Sequence, residues 1–174
     1  MAKQLRIYHY PHPVLKQQAQ PVSNIADKQI QTFIDDLAHT CELAKGMGIA
    51  APQVGYSLRI FILMSHPNPR YPYAPVMPTT AVINPEIIEY GSQQISDWEG
   101  CLSIPDKRGQ VPRSETIYVK YTDRYGEEVF ADFEGFIARV FQHEYDHLQG
   151  TMFFERMKEN RLYTNVEFHK IIGQ

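Results

Sequence analysis

Cysteine is scarce in this chain: two among 174 residues, Cys41 and Cys101, too few for a disulfide framework. In a reducing compartment the roles left to them are an unpaired core thiol and a metal-bound thiolate. Long apolar runs are missing too. No window approaches the ~20 consecutive apolar residues of a membrane span. The opening Met1, Ala2, Lys3, Gln4, Leu5 and Arg6 is not followed by the apolar stretch of a signal peptide, so the expectation is a cytoplasmic protein with no membrane partner. Nor is there an excess of positive charge. The formal net charge is −3, and Lys and Arg are scattered rather than drawn into a stripe, which argues against direct nucleic acid binding. Repeats, low-complexity tracts and composition breaks are also lacking. With 43% apolar residues, residues 1–174 are long enough for one domain with a real core and too short for two comfortable ones.

What is present reads as α+β. Ile30, Phe33, Ile34, Leu37, Ala38 and Cys41 recur at helical spacing, which predicts an amphipathic helix over 27–45 with Asp27 as N-cap and Gly46 as the stop beyond the last turn. Cys41 then packs on an apolar face and carries no chemistry. Runs rich in β-branched and aromatic residues at 58–64, 80–83, 87–90, 116–121 and 129–133 predict antiparallel strands. Prolines at 67, 69, 72, 75 and 78 forbid regular pairing, so 65–78 is expected to be an exposed loop without a role. Gly126 marks a tight turn between two strand-like runs. From Gly135 the period changes to 3.6, with Phe136, Ile137, Val140, Phe141, Tyr145 and Leu148 on one face. The expected architecture is antiparallel β-sheets packed around this central helix.

That last helix carries His143-Glu144-Tyr145-Asp146-His147, an H-E-x-x-H pattern. Histidines four apart lie on one helix face and can reach one ion, and the adjacent glutamate can act as base. A hydrolytic site needs a third protein ligand and one open position. In metzincin-type enzymes that ligand is a further His after Gly150, but the corresponding residue is Phe153. Two candidates remain. Glu167 has the separation used by thermolysin-like enzymes, and Cys101 offers a thiolate suited to first-row divalent metals. A structural metal with all four positions filled is a third reading.

Three segments, Gly46-Met47-Gly48-Ile49-Ala50-Ala51-Pro52-Gln53, Glu99-Gly100-Cys101-Leu102-Ser103 and Gln142-His143-Glu144-Tyr145-Asp146-His147-Leu148, resemble the three motifs of peptide deformylase, in order. The resemblance covers about residues 5 to 157. It implies removal of the formyl group from the initiator methionine of new polypeptides emerging from the ribosome, with formate released. It also implies that Cys101, His143 and His147 hold Fe2+, for which Zn2+, Ni2+ or Co2+ can substitute. Glu144 becomes the acid/base, while the Gln53 amide and the Leu102 N–H steady the oxyanion.

On the substrate side, Gly48 lets the backbone pair with an extended peptide as an added strand. Met47, Phe136 and Val140 are expected to form an apolar pocket for methionine. Arg139 is expected to place a charge near the pocket rim. Glu99 is also assigned to the substrate side, with an ion pair to Arg113 as a supporting role and ordinary surface charges as the alternative. Trp98 reads as core, with a substrate contact as the alternative, and Asp146 points away from the ion toward solvent or a supporting hydrogen bond. The segment from 160 onward is short and mixed in charge, without the basic helix needed for ribosome docking.

Overall fold

The computed structural model describes residues 1–173. Asp27 caps α1 (Lys28–Leu43) by accepting from the Gln29 N–H, and Phe33, Ile34, Leu37 and Cys41 are buried along it. The chain then passes through β1 (Gly48–Ala50), β2 (Ile60–Ser65), β3 (Met77–Tyr90), β4 (Gln94–Cys101), β5 (Ile104–Ser114), β6 (Thr116–Thr122) and β7 (Glu128–Glu134) into α2 (Gly135–Leu148). After α2 come β8 (Tyr163–Thr164) and α3 (Asn165–Ile172). The strands make two antiparallel sheets, β1-β2-β3-β6-β7 and β4-β5-β8. The fold is α+β, as the sequence pattern predicts.

Strand β2 shows why both main helices pack where they do. All six of its residues are buried, and alternation sends successive side chains to opposite faces. Ile60, Ile62 and Met64 join the α1 residues Phe33, Ile34 and Leu37 in one core. Phe61 and Leu63 join Ala138, Phe141 and Leu148 of α2 in the other, with the Phe61 and Phe141 rings edge to face at 5.0 Å. Each fully buried Phe, Ile or Leu contributes about 1.5–3 kcal/mol. The opposite side of α2 is polar and is tied to the second sheet. Arg139 donates to the Val111 and Ile95 carbonyls at 2.8 and 2.7 Å, and Gln142 exchanges hydrogen bonds with the Ser114 backbone. The H-E-x-x-H helix therefore lies between the two sheets.

Several expectations are corrected. Lys45, not Gly46, takes the left-handed backbone after α1, with φ 53°. Gly46 is closely packed instead, since a Cβ there would lie 3.2 Å from both Cys41 Sγ and Leu102 Cδ1. The runs at 80–83 and 87–90 are one strand, β3, with register shifts against β6 between Ile83 and Glu86 and between Ile87 and Glu89. Asn84, at φ 49°, breaks the alternation there and ties the strand to Val22 through its side chain. The 65–78 segment is not featureless: Ala74 is buried, and Asn68 Oδ1 accepts from the N–H groups of Arg70 and Tyr71. The C-terminal region folds onto β5 as β8 and α3.

Candidate metal centre

The three proposed ligands come from two elements. Cys101 ends β4 at a register shift between Gly100 and Cys101, where the strand turns into β5. His143 and His147 project from α2, which begins at Gly135 with φ 57°, a left-handed value suited to a residue without a Cβ. The nitrogen and sulfur donors of Cys101, His143 and His147 all lie within 4.8 Å of one another, and all three residues are buried. Sγ of Cys101 is 3.3 Å from Nε2 of His147. One thiolate and two imidazoles so placed fit a first-row divalent cation. Burial lowers the His147 pKa well below its ordinary value, keeping the ring neutral as a ligand must be. Burial would lower His143 too, but Cys101 and Glu99 outweigh it and raise the pKa.

Behind the cluster is a buried chain of charges. Oε1 of Glu99 is 2.7 Å from Nδ1 of His143, and the same carboxylate accepts two 2.9 Å hydrogen bonds from Arg113 and one of 2.7 Å from Arg139. Arg113 also donates to Asp146 Oδ2 at 2.6 Å, and Asp146 is held from outside by Arg156. Burial alone would raise the Glu99 pKa, but Arg113 and His143 hold it well below the usual carboxylate range. A carboxylate fixed on the far nitrogen of a ligating histidine sets its tautomer and ring orientation. Arg113 is therefore an internal partner, not a surface charge, and Asp146 faces it rather than solvent.

Glu144 lies beside the cluster, 4% exposed. Its Oε2 is buried with no hydrogen-bond partner, and burial raises its pKa to about 7, with His143 only partly opposing. The backbone of β1 presses against it: an alanine Cβ at Gly48 would lie 2.7 Å from Glu144 Oε1. Gln53, 1% exposed, follows β1 in a short 3-10 turn. Its Oε1 accepts from the Ala50 N–H at 2.9 Å, which turns the NH2 toward Ser103 Oγ at 3.1 Å and Cys101 Sγ at 3.6 Å.

A cleft opens onto these groups. Met47, Gly48, Gln53, Leu102, Phe136 and Val140 line it together with Cys101, His143 and Glu144. Two substrate-side assignments change. Arg139 lines the cleft, but its guanidinium is turned inward to Glu99 and two backbone carbonyls and puts no free charge on the rim. The carboxylate of Glu99 is likewise committed to His143, Arg113 and Arg139. Trp98 is not core: it is half-buried and lines the cleft, as do Arg70 and Tyr71 from the proline-rich segment. Nothing in the spacing of that segment marked them. Glu167 accepts from the Thr164 N–H and hydroxyl at the start of α3 and is exposed, so it is not the third ligand.

The family model for polypeptide deformylase matches residues 4–162. The chain belongs to the polypeptide deformylase family. It is 48% identical over 169 residues to peptide deformylase 2 of Nostoc sp., covering 97% of this chain and 94% of that protein. A class I type b peptide deformylase from Acinetobacter baumannii, solved with Met-Ala-Ser bound, superposes with a TM-score of 0.88 at 45% identity, covering 90% of this chain and all of that one. The peptide deformylase of Thermotoga maritima gives a TM-score of 0.80 at 38% identity over 90% of this chain and 99% of that one. The chain is accordingly a hydrolase of the deformylase class, with a role in protein biosynthesis. Among the described residues, no helix is long and apolar enough to cross a membrane.

Proposed function

We propose that this chain, acting as one domain, hydrolyses the formamide of N-formylmethionyl polypeptides and releases formate. The observation that carries the reading is the unpaired buried carboxylate oxygen of Glu144 in a cleft lined by Cys101 and His143, whose donors cluster with those of His147. Those three residues would hold the metal: Fe2+ by family resemblance, with Zn2+, Ni2+ or Co2+ able to take its place. When bound, the cation supplies a Lewis acid and lowers the pKa of water from ~15.7 toward ~7. Glu144 takes the proton of the attacking water and returns it to the departing amine. Burial raises its pKa, the direction that suits a carboxylate which must hold a proton at neutral pH.

Gln53 Nε2 and the Leu102 N–H donate to the carbonyl oxygen as it becomes negative; losing one such donor costs roughly 10²–10³ in rate. The free edge of β1 beside Gly48 pairs with the extended peptide, while Met47, Phe136 and Val140 receive the methionine side chain. Met-Ala-Ser in the Acinetobacter relative supports a peptide running along the cleft. A formyl carbon bears only hydrogen, so a close-fitting site rejects acetyl by the ~1–3 kcal/mol that one carbon of packing provides. The setting is nascent chains at the ribosome in the cytoplasm.

The test is formate release from formyl-Met-Ala-Ser by anaerobically ferrous-loaded protein, beside Glu144→Ala with its metal content measured. Loss of ~10²-fold or more in the variant at full metal occupancy is expected for a group that moves the proton. No release by metal-replete parent protein would overturn the reading.

A further inference from the structure

Met47, Phe136 and Val140 make only part of the cleft's lining. Its additional wall is Arg70, Tyr71 and Trp98, and none of these residues is held in place by the metal centre. Trp98 touches the C-terminal segment directly, and Tyr71 is linked to it through Arg108. The Trp98 ring meets Tyr163 of β8 and Phe168 of α3 edge to face, each at 5.2 Å. Arg108 of β5 pairs with Tyr163 across the sheet, donates to Tyr71 Oη at 3.1 Å and to Asn165 Oδ1 at 3.2 Å, and lies 5.2 Å over the Phe168 ring. Tyr71 in turn rests on Phe136 at 5.4 Å. Helix α3 buries no residue of its own, so its contacts with Trp98 and Arg108 are its main attachment to the body of the protein. A segment with so few buried contacts is weakly held, yet it supports two separate parts of one wall.

We propose that Phe168, through Trp98 and Arg108, is a specificity-determining positioning residue: β8 and α3 buttress the wall that grips substrate residues beyond the formylated methionine. The proposal rests on the peptide-cleft reading above. It assigns the C-terminal helix an effect on affinity that grows with peptide length and leaves the chemical step alone.

The experiment compares full-length ferrous parent protein with Phe168→Ala and, because it breaks the polar bridges by another route, Arg108→Met. Formyl-Met amide and formyl-Met-Ala-Ser are the substrates. Both variants are expected to raise KM for the tripeptide roughly tenfold, the size of effect one lost packing contact has on discrimination. KM for the amide and kcat for both substrates stay within about twofold of the parent, and Phe168→Tyr restores the parent ratio. An equal rise for both substrates, or none, overturns the proposal. Trp98 is the only tryptophan, so its fluorescence follows Met-Ala-Ser binding without turnover. Should the parent release no formate, the reaction reading fails, and this titration still decides the wall. Weaker Met-Ala-Ser binding in Phe168→Ala supports the proposal; equal binding, or no fluorescence response in the parent, overturns it.

Discussion

Replacing Gly48 by alanine isolates the relation between β1 and Glu144. The new Cβ would lie 2.7, 2.8 and 2.9 Å from Oε1, Cγ and Cδ of Glu144, whereas carbon contacts settle at about 3.5–4.0 Å. The carboxylate must therefore withdraw by roughly 1 Å, since β1 is fixed by pairing at Gly48, Ile49 and Ala50 with β2. Glu144 can move by rotating its own side chain, at about 0.5–1.5 kcal/mol for an off-rotamer angle, so the thermal midpoint should fall by only a few degrees. Catalysis is far less tolerant: a 1 Å misplacement of a reacting group costs ~10² in rate. The expected result is kcat down about 100-fold with metal content unchanged. Formate release under saturating formyl-Met-Ala-Ser, read beside metal analysis and a melting curve, measures all three quantities. A Gly48→Ala protein retaining at least half of the parent kcat would refute the reasoning.

Three further outcomes follow from the charges around the centre. Arg113→Leu leaves Glu99 and Asp146 short of their buried partner and should destabilise the protein by about 3–5 kcal/mol in denaturant titration; a loss under 1 kcal/mol would show the network to be hydrated. Glu99→Gln removes the carboxylate fixed on His143 and should weaken metal binding ~10–100-fold in chelator competition, so unchanged affinity would contradict its orienting role. Glu155 tests pH. Burial opposes but does not prevent lowering of its pKa by Lys16 and by the Met152 N–H, so its stabilisation is complete above the unfolded glutamate value and is lost as pH falls through the lower folded one. The melting-point gap between parent and Glu155→Gln should thus be open at neutral pH and close on acidification, and a gap independent of pH would rule the ion pair out as its source.

The parts legible in the sequence are those where one local rule acts alone. Asp27 and the 30/33/34/37/41 stripe specify α1, and the 3.6 period from Gly135 specifies α2. The second sheet was hidden because several of its buried positions are polar: Glu99, Arg108 and Arg113 occupy places where a strand pattern looks for apolar residues. They are satisfied by partners far along the chain, which no periodicity reports. For the same reason Arg139 read as a rim charge, although Glu99, forty residues earlier, draws it inward. Tyr71 went unassigned and Trp98 was placed in the core because a cleft wall made of a proline-rich loop and a strand residue propped by the C-terminal helix becomes visible only once all three are docked.

The donors on β4 and α2 join elements far apart in the chain, with Cys101 and His147 separated by 46 residues. A cation held between them would be a cross-link across a long loop. By mass action, free metal at 100 times its dissociation constant adds about 2.7 kcal/mol to global stability. On the proposed reading, metal supply in the cell would set how long this enzyme lasts as well as whether it works, and a starved pool would leave molecules both idle and easier to unfold.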